Sequence, residues 1–211
     1  MDNLQKTPER AEIFDKIYQD YLNELAARDL ESVAELAGGV FKDGAVRLTM
    51  LNRNYRIGPG GVADEQGGQV DHSTSVVLLK YLIHFPSTRP QEGEWIPYRG
   101  FRDAAPFSGG FQANAETPLA RAFDSKLEHL ANACKALGGF DPGLDWGYHV
   151  KCQFPALPFV PLLLLFNDRE ESFPAEARIF FRSEAEKIFD MECLAILGWL
   201  LSAKLIREID G

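Results

Sequence analysis

The sequence predicts an α+β fold, a mainly antiparallel (or mixed) sheet with helices packed on it. Three observations predict it. Phe159–Phe166 (FVPLLLLF) is an almost unbroken apolar run. It is shorter than the roughly 20 residues that span a bilayer and too apolar for a half-solvated strand, whose residues alternate. The reading left is a strand covered on both faces, at the centre of a sheet, about residues 159–166. A second run, Glu176–Phe181, resumes after the polar, turn-rich Asn167–Pro174, so the two form a hairpin whose loop of about eight residues exceeds the usual 2–5. Strands and helices do not alternate as βαβ units, which argues against a doubly wound parallel sheet.

From the N-terminus, Thr7 with Pro8 reads as an N-cap with proline at the first helical position. Ile13, Ile17, Tyr21 and Leu25 recur every four residues, widened by Phe14 and Leu22, as an amphipathic helix. Arg28-Asp29 breaks it, Leu30–Leu36 is a second short helix, and Gly38-Gly39 ends it. Val40–Ile57 reads as strands: Val46, Leu48 and Met50 alternate, Asn52–Asn54 turns, and Tyr55–Ile57 returns. Gly58–Gly68 has five glycines but no GxxxxGK[ST] or GxGxxG pattern, and reads as a flexible turn rather than a phosphate loop.

Asp71 or Ser73 caps a helix through Val76–Ile83 that ends at Phe85-Pro86. It is apolar nearly all round, so it is expected to be buried against the sheet. Glu94–Phe101 (EWIPYRGF) is a short extended piece, Asp103–Gly110 a loop, and Ser108-Gly109-Gly110 a turn. Pro118–Phe123 starts helical structure that continues through Ser125–Leu137 and stops at Gly138-Gly139. Tyr148–Phe154 alternates as a half-exposed strand, and Met191–Ile206 is a last helix with Leu194, Leu197, Leu201 and Leu205 in its stripe.

The 211 residues read as one globular domain, residues 1–211, with 45% apolar and 25% charged residues. A net charge of −9 argues against sequence-independent nucleic-acid binding and against docking on anionic lipid. Cys134, Cys152 and Cys193 are odd in number and widely spaced, with no CxxC, so neither a disulfide framework nor a Cys-rich zinc site is expected. The N-terminus MDNLQKTPER has no apolar h-region. Cytoplasmic location is therefore the expectation.

Taken together, VVLLKYLIHF, GEWIPYRGF, ETPLARAF, a helix ending in Gly-Gly and LPFVPLLLLFNDREESFPAEARIFFRSEA resemble the bacterial and archaeal DUF3786 family over roughly residues 10–207. The most specific pieces are Gly93-Glu94-Trp95, Pro118–Phe123 and Leu157-Pro158 through Phe173-Pro174. Members of that family occur mostly in anaerobes, so the resemblance implies an anaerobe, and it carries over no catalytic motif. Some members carry an added iron–sulfur domain, and that company points to a place in corrinoid or other tetrapyrrole metabolism.

The strongest candidate site is Trp95–Phe111. Trp95, Tyr98, Phe107 and Phe111, with Arg99 and Arg102, offer aromatic walls and guanidinium forks to a small flat ligand bearing carboxylate or phosphate arms. The ordinary alternative is that these aromatics close the core where a long loop crosses it. An enzyme using Arg99 with Glu94 or Asp103 is a second reading, and an interaction module, self-associating or binding a protein partner, a third. Asp168, Glu170 and Glu171 read as a solvated hairpin tip rather than a cation site. His72, His84, His129 and His149 have no ligand spacing, and Cys152 reads as a packed thiol. No metal or cofactor is assigned.

Overall fold

The structure is a computed structural model and describes residues 8–209, with side chains from residue 14 onward. The expected cap at Thr7 and the side chain of Ile13 lie outside the described residues. The α+β class is as read, but the strands divide into two separate four-stranded antiparallel sheets rather than one. The split follows the chain: consecutive hairpins build the first sheet locally, and the second is assembled from strands that follow α3.

Two helices lead in, α1 (Pro8–Ala26) and α2 (Leu30–Ala37). Asp29 caps α2, its carboxylate accepting from the Ser32 N–H, and Gly38 at φ 74° ends it in the left-handed conformation that glycine adopts without penalty. The first sheet is a meander of β1 (Val40–Lys42), β2 (Ala45–Met50), β3 (Arg53–Gly58) and β4 (Gly61–Asp64). Its first two turns sit at Asp43-Gly44 and Leu51-Asn52, and all four residues have positive φ, the signature of two-residue hairpin turns matched to strand twist. The second turn therefore lies one to two residues earlier than Asn52–Asn54. The stretch 58–68 is not all turn, because β4 pairs with β3 inside it. One face of the meander buries Val46, Leu48, Met50, Tyr55 and Ile57.

Helix α3 (His72–His84) is capped by Asp71, not Ser73, and is buried along most of its length, as its all-round apolarity requires. Its Tyr81 hydroxyl donates to the Ala37 carbonyl at 3.0 Å, which ties α3 to the end of α2.

The second sheet runs in the order β5 (Trp95–Pro97), β8 (Glu176–Arg182), β7 (Val160–Asn167), β6 (Val150–Leu157). The apolar run is the interior strand β7, and Leu162 to Phe166 are fully buried on both faces. The β7–β8 hairpin pairs in register from Leu162↔Phe181 to Asn167↔Glu176. One face, with Phe154, Leu162, Leu164, Ile179 and Phe181, joins the common core. On the opposite face Trp146 lies against Phe180, ring centroids 5.8 Å apart.

Between β5 and β6 the chain is helical. It runs through α4 (Ser108–Phe111), a π turn (Gln112–Glu116), α5 (Thr117–Ala122) and α6 (Leu127–Ala136). Ser108–Gly110 is thus the start of a helix and not a turn: the Ser108 N–H and hydroxyl both return to the Ala104 carbonyl, and Phe111 one turn on is buried. The last helix, α7 (Met191–Arg207), is capped by Asp190, which accepts from the Cys193 N–H at 2.8 Å and also meets Lys80 of α3. Among the described residues no helix is long and apolar enough to cross a membrane.

Candidate functional site

The strand β5 is only three residues long, and its last residue, Pro97, has no N–H to extend a ladder. It pairs with β8 only from Phe180 to Arg182. The N-terminal part of β8 therefore has an open edge. Glu116 covers it: one carboxylate oxygen accepts from the Ile179 N–H at 3.0 Å, where the next strand would have supplied a carbonyl. The other lies 3.4 Å from the Arg178 guanidinium, which also pairs with Glu176 at 2.5 Å.

The π turn is what brings Glu116 there. Pro118 cannot donate and its ring crowds the preceding turn, so the helix widens just upstream of it. The Thr117 N–H reaches back to the Gln112 carbonyl, and the Ala115 carbonyl is taken by the Ser202 hydroxyl of α7 at 2.9 Å. Glu116 is buried. Burial pushes its carboxyl above the usual range, and outweighs the Ile179 N–H and Arg178, which pull the other way.

Two clefts flank this carboxylate and share Gln112, Glu116 and Arg178. One, of about 210 Å³, is bounded by Arg99, Tyr148 and Phe180; the other, of about 270 Å³, by Arg121, Asp124 and Pro174. Together they form a trough along the open edge of β8. At its centre is a carboxyl that burial holds above its ordinary range, beside a guanidinium and the Gln112 amide. Such a set can accept from, donate to and exchange a proton with a small polar molecule.

The residues expected from the sequence divide into two groups. Tyr98, Arg99 and Phe111 line the first cleft, but the two rings are stacked on each other, centroids 4.2 Å apart, and both are buried. The Tyr98 hydroxyl donates to the Met191 carbonyl at 2.7 Å. Their rings belong to the core while the residues also border the cleft. Arg99 is exposed at the rim. Trp95, Arg102 and Phe107 do not border it. The Arg182 guanidinium sits 4.1 Å from the Trp95 ring centre, and Arg102 and Phe107 are exposed. Glu94 and Asp103 are exposed and do not border the cleft; the carboxylate that borders it with Arg99 is Glu116.

At the hairpin tip Asp168 accepts from the Ser125 N–H at 2.7 Å, and the His149 Nδ1 accepts from the Asp168 N–H at 2.9 Å. Among the described residues no group of three or more His, Cys, Asp or Glu is placed to hold a metal ion. Gln112, Glu116 and Arg178 were not legible as a site. The one available signal was Pro118 two residues after a glutamate, which reads more simply as a helix start.

No curated protein and no solved structure matches the chain. A family model described as Domain of unknown function (DUF3786) matches residues 29–204, most of the chain. The chain therefore belongs to the DUF3786 family.

Proposed function

We propose that this is a cytoplasmic binding or accessory domain that holds a small anionic or polar molecule in the trough beside β8. The observation that carries the reading is Glu116, a buried carboxylate on an open strand edge, facing a cleft that also receives Arg99. Arg99 supplies a carboxylate- or phosphate-binding fork at the rim, and Gln112 and Glu116 hydrogen-bond the polar body. The cleft that receives Arg99, about 210 Å³, lies below the roughly 300–1,000 Å³ of clefts that enclose drug-sized ligands. This favours a compact acid over a flat tetrapyrrole or corrinoid.

A second reading is supported by the same carboxyl: an enzyme in which Glu116, held above its ordinary range, moves a proton on a substrate anchored by Arg99.

The test is thermal shift and calorimetry on the full chain with small carboxylates, small phosphate esters, haem and a corrinoid. The expected result is a saturable stabilisation by one of the small acids, about 2.7 kcal/mol at a hundredfold excess over Kd, weakened by Arg99→Ala. A response to haem or corrinoid alone would overturn the compact-acid reading. No response to any of them, with Arg99→Ala indistinguishable from wild type, would overturn the site.

A further inference from the structure

The face of the second sheet turned away from the core carries Leu163 and Leu165 of β7 and, opposite Leu163, Phe180 of β8. Leu163 and Leu165 are fully buried, although neither belongs to the common core. The chain just ahead of β6 covers them. Phe140 pairs with Gln153 of β6, exchanging hydrogen bonds at 3.0 and 2.8 Å. Six residues later Trp146 lies against Phe180, two strands away, and by Val150 the chain is back in β6. Two strand spacings are about 10 Å, within reach of six residues. Residues 141–147 therefore pass over β7 as a strap. Pro142, Leu144, Trp146 and Tyr148 are half-buried, and the residues between them are exposed.

The strap is held by side chains alone. Among the described residues no hydrogen bond joins 141–147 to the sheet. The bonds it makes are internal: the Gly143 N–H donates to the Asp141 carboxylate and the Tyr148 N–H to the Trp146 carbonyl, both at 2.8 Å. A Cβ on Gly143 or Gly147 would meet nothing within 4 Å, so the backbone there is packed on nothing. A segment with few buried contacts and no ladder opens at low cost. Phe180 and Tyr148 also border the cleft that receives Arg99. The seat of the Trp146 ring is thus continuous with the trough, and it is apolar where the trough is polar.

We propose that residues 141–147 are the lid of the trough, and that the ligand is an acid with a short apolar tail, which takes the place of Trp146 on Phe180 while Arg99 holds the acidic head. This rests on the trough being a binding site and adds the class of molecule it takes. A strap that served only to keep Leu163 and Leu165 dry would need no wall in common with a cleft and would not respond to its contents.

The test uses the full chain and two series of probes: acetate, butyrate and hexanoate, and methyl, butyl and hexyl phosphate. Calorimetry gives the affinities, and the Trp146 indole N–H resonance reports the lid. In the series that binds, affinity is expected to rise with tail length, roughly fourfold for each methylene buried. The Trp146 signal shifts with the longest member and not with the shortest, and Arg99→Ala weakens every member. Trp146→Ala raises the ratio of longest to shortest affinity, because no ring has to leave Phe180. If that variant does not fold, the wild-type series and the indole signal decide alone. Arg99-dependent binding that ignores tail length, with Trp146 unmoved, overturns the lid and leaves the trough standing. Binding that grows with the tail but is untouched by Arg99→Ala lies elsewhere and overturns the proposal. No binding by any member overturns lid and trough together.

Discussion

Replacing Glu116 by alanine removes the acceptor that holds the Ile179 N–H on the open edge of β8. That N–H is buried, and a buried donor left without a partner costs about 1–3 kcal/mol. The 3.4 Å contact to the Arg178 guanidinium is long, and Arg178 is partly solvated, so its loss adds less than about 1 kcal/mol. Glu116→Ala is therefore expected to cost about 2–3 kcal/mol, which in a chain of this length lowers Tm by about 4–12 °C. Glu116→Gln keeps an oxygen for Ile179 and should stay within about 1 kcal/mol of wild type at neutral pH.

The pH dependence separates the two forms further. Burial raises the native carboxyl, so the native state binds this proton more readily than the unfolded chain. Stability from the group is fully present below the ordinary glutamate range and is lost as pH rises through the native value. Acidification from neutral pH should thus shift the wild-type-minus-Gln difference in favour of wild type. Urea and thermal unfolding by circular dichroism measure all three proteins. If alanine matches wild type, or glutamine falls as far as alanine, the strand-edge role of Glu116 is refuted.

Other perturbations have equally definite outcomes. A Cβ added at Gly198 would lie 2.4 Å from the Phe111 ring, which is pinned against Tyr98; Gly198→Ala should lose about 1–3 kcal/mol in urea unfolding despite its better helix propensity. Tyr98→Phe removes the bond to the Met191 carbonyl and should cost about 1 kcal/mol; in the wild type, burial pushes the Tyr98 hydroxyl up to about 12, so ultraviolet titration should show a late-ionising tyrosine that Tyr98→Phe lacks. Burial pushes the Asp190 carboxyl up, but the Lys80 ammonium and the Cys193 N–H hold it below the ordinary range overall. Its stabilisation is present above the unfolded value and lost as pH falls through the native one. Asp190→Asn should therefore destabilise at neutral pH, and the deficit should close on acidification in unfolding curves.

Much of the architecture was legible because single residues carried unambiguous instructions. The uninterrupted apolarity of Leu162–Phe166 fixed a strand buried on both faces, and Asp29, Asp71 and Gly38 marked helix ends. Asp43-Gly44 also carried a hairpin signal, yet two sheets instead of one could not be seen, since hairpin signals say which strands are neighbours and not where a sheet stops. Gly93, in one of the most family-specific pieces, has a packing reason: a Cβ there would meet the Ser183 hydroxyl at 2.1 Å and the Glu184 carboxylate at 2.7 Å. In the segment 95–111, the Tyr98 and Phe111 rings stack on each other, while Trp95 meets the Arg182 guanidinium. Composition marks aromatics as contact-makers without saying whether the contact is a ligand or a neighbouring ring. Glu116 escaped notice because its placement depends on a π turn forced by Pro118 and completed by Ser202, 87 residues away.

Glu116 is the group on which the trough depends, and carboxyl ¹³C titration of it, followed with the Ile179 amide proton, is the most direct measurement. A midpoint above that of the exposed glutamates, shared by the Ile179 amide, is the expected result. A midpoint among the exposed glutamates, with the Ile179 amide indifferent to it, would show that the carboxylate does not occupy the strand edge.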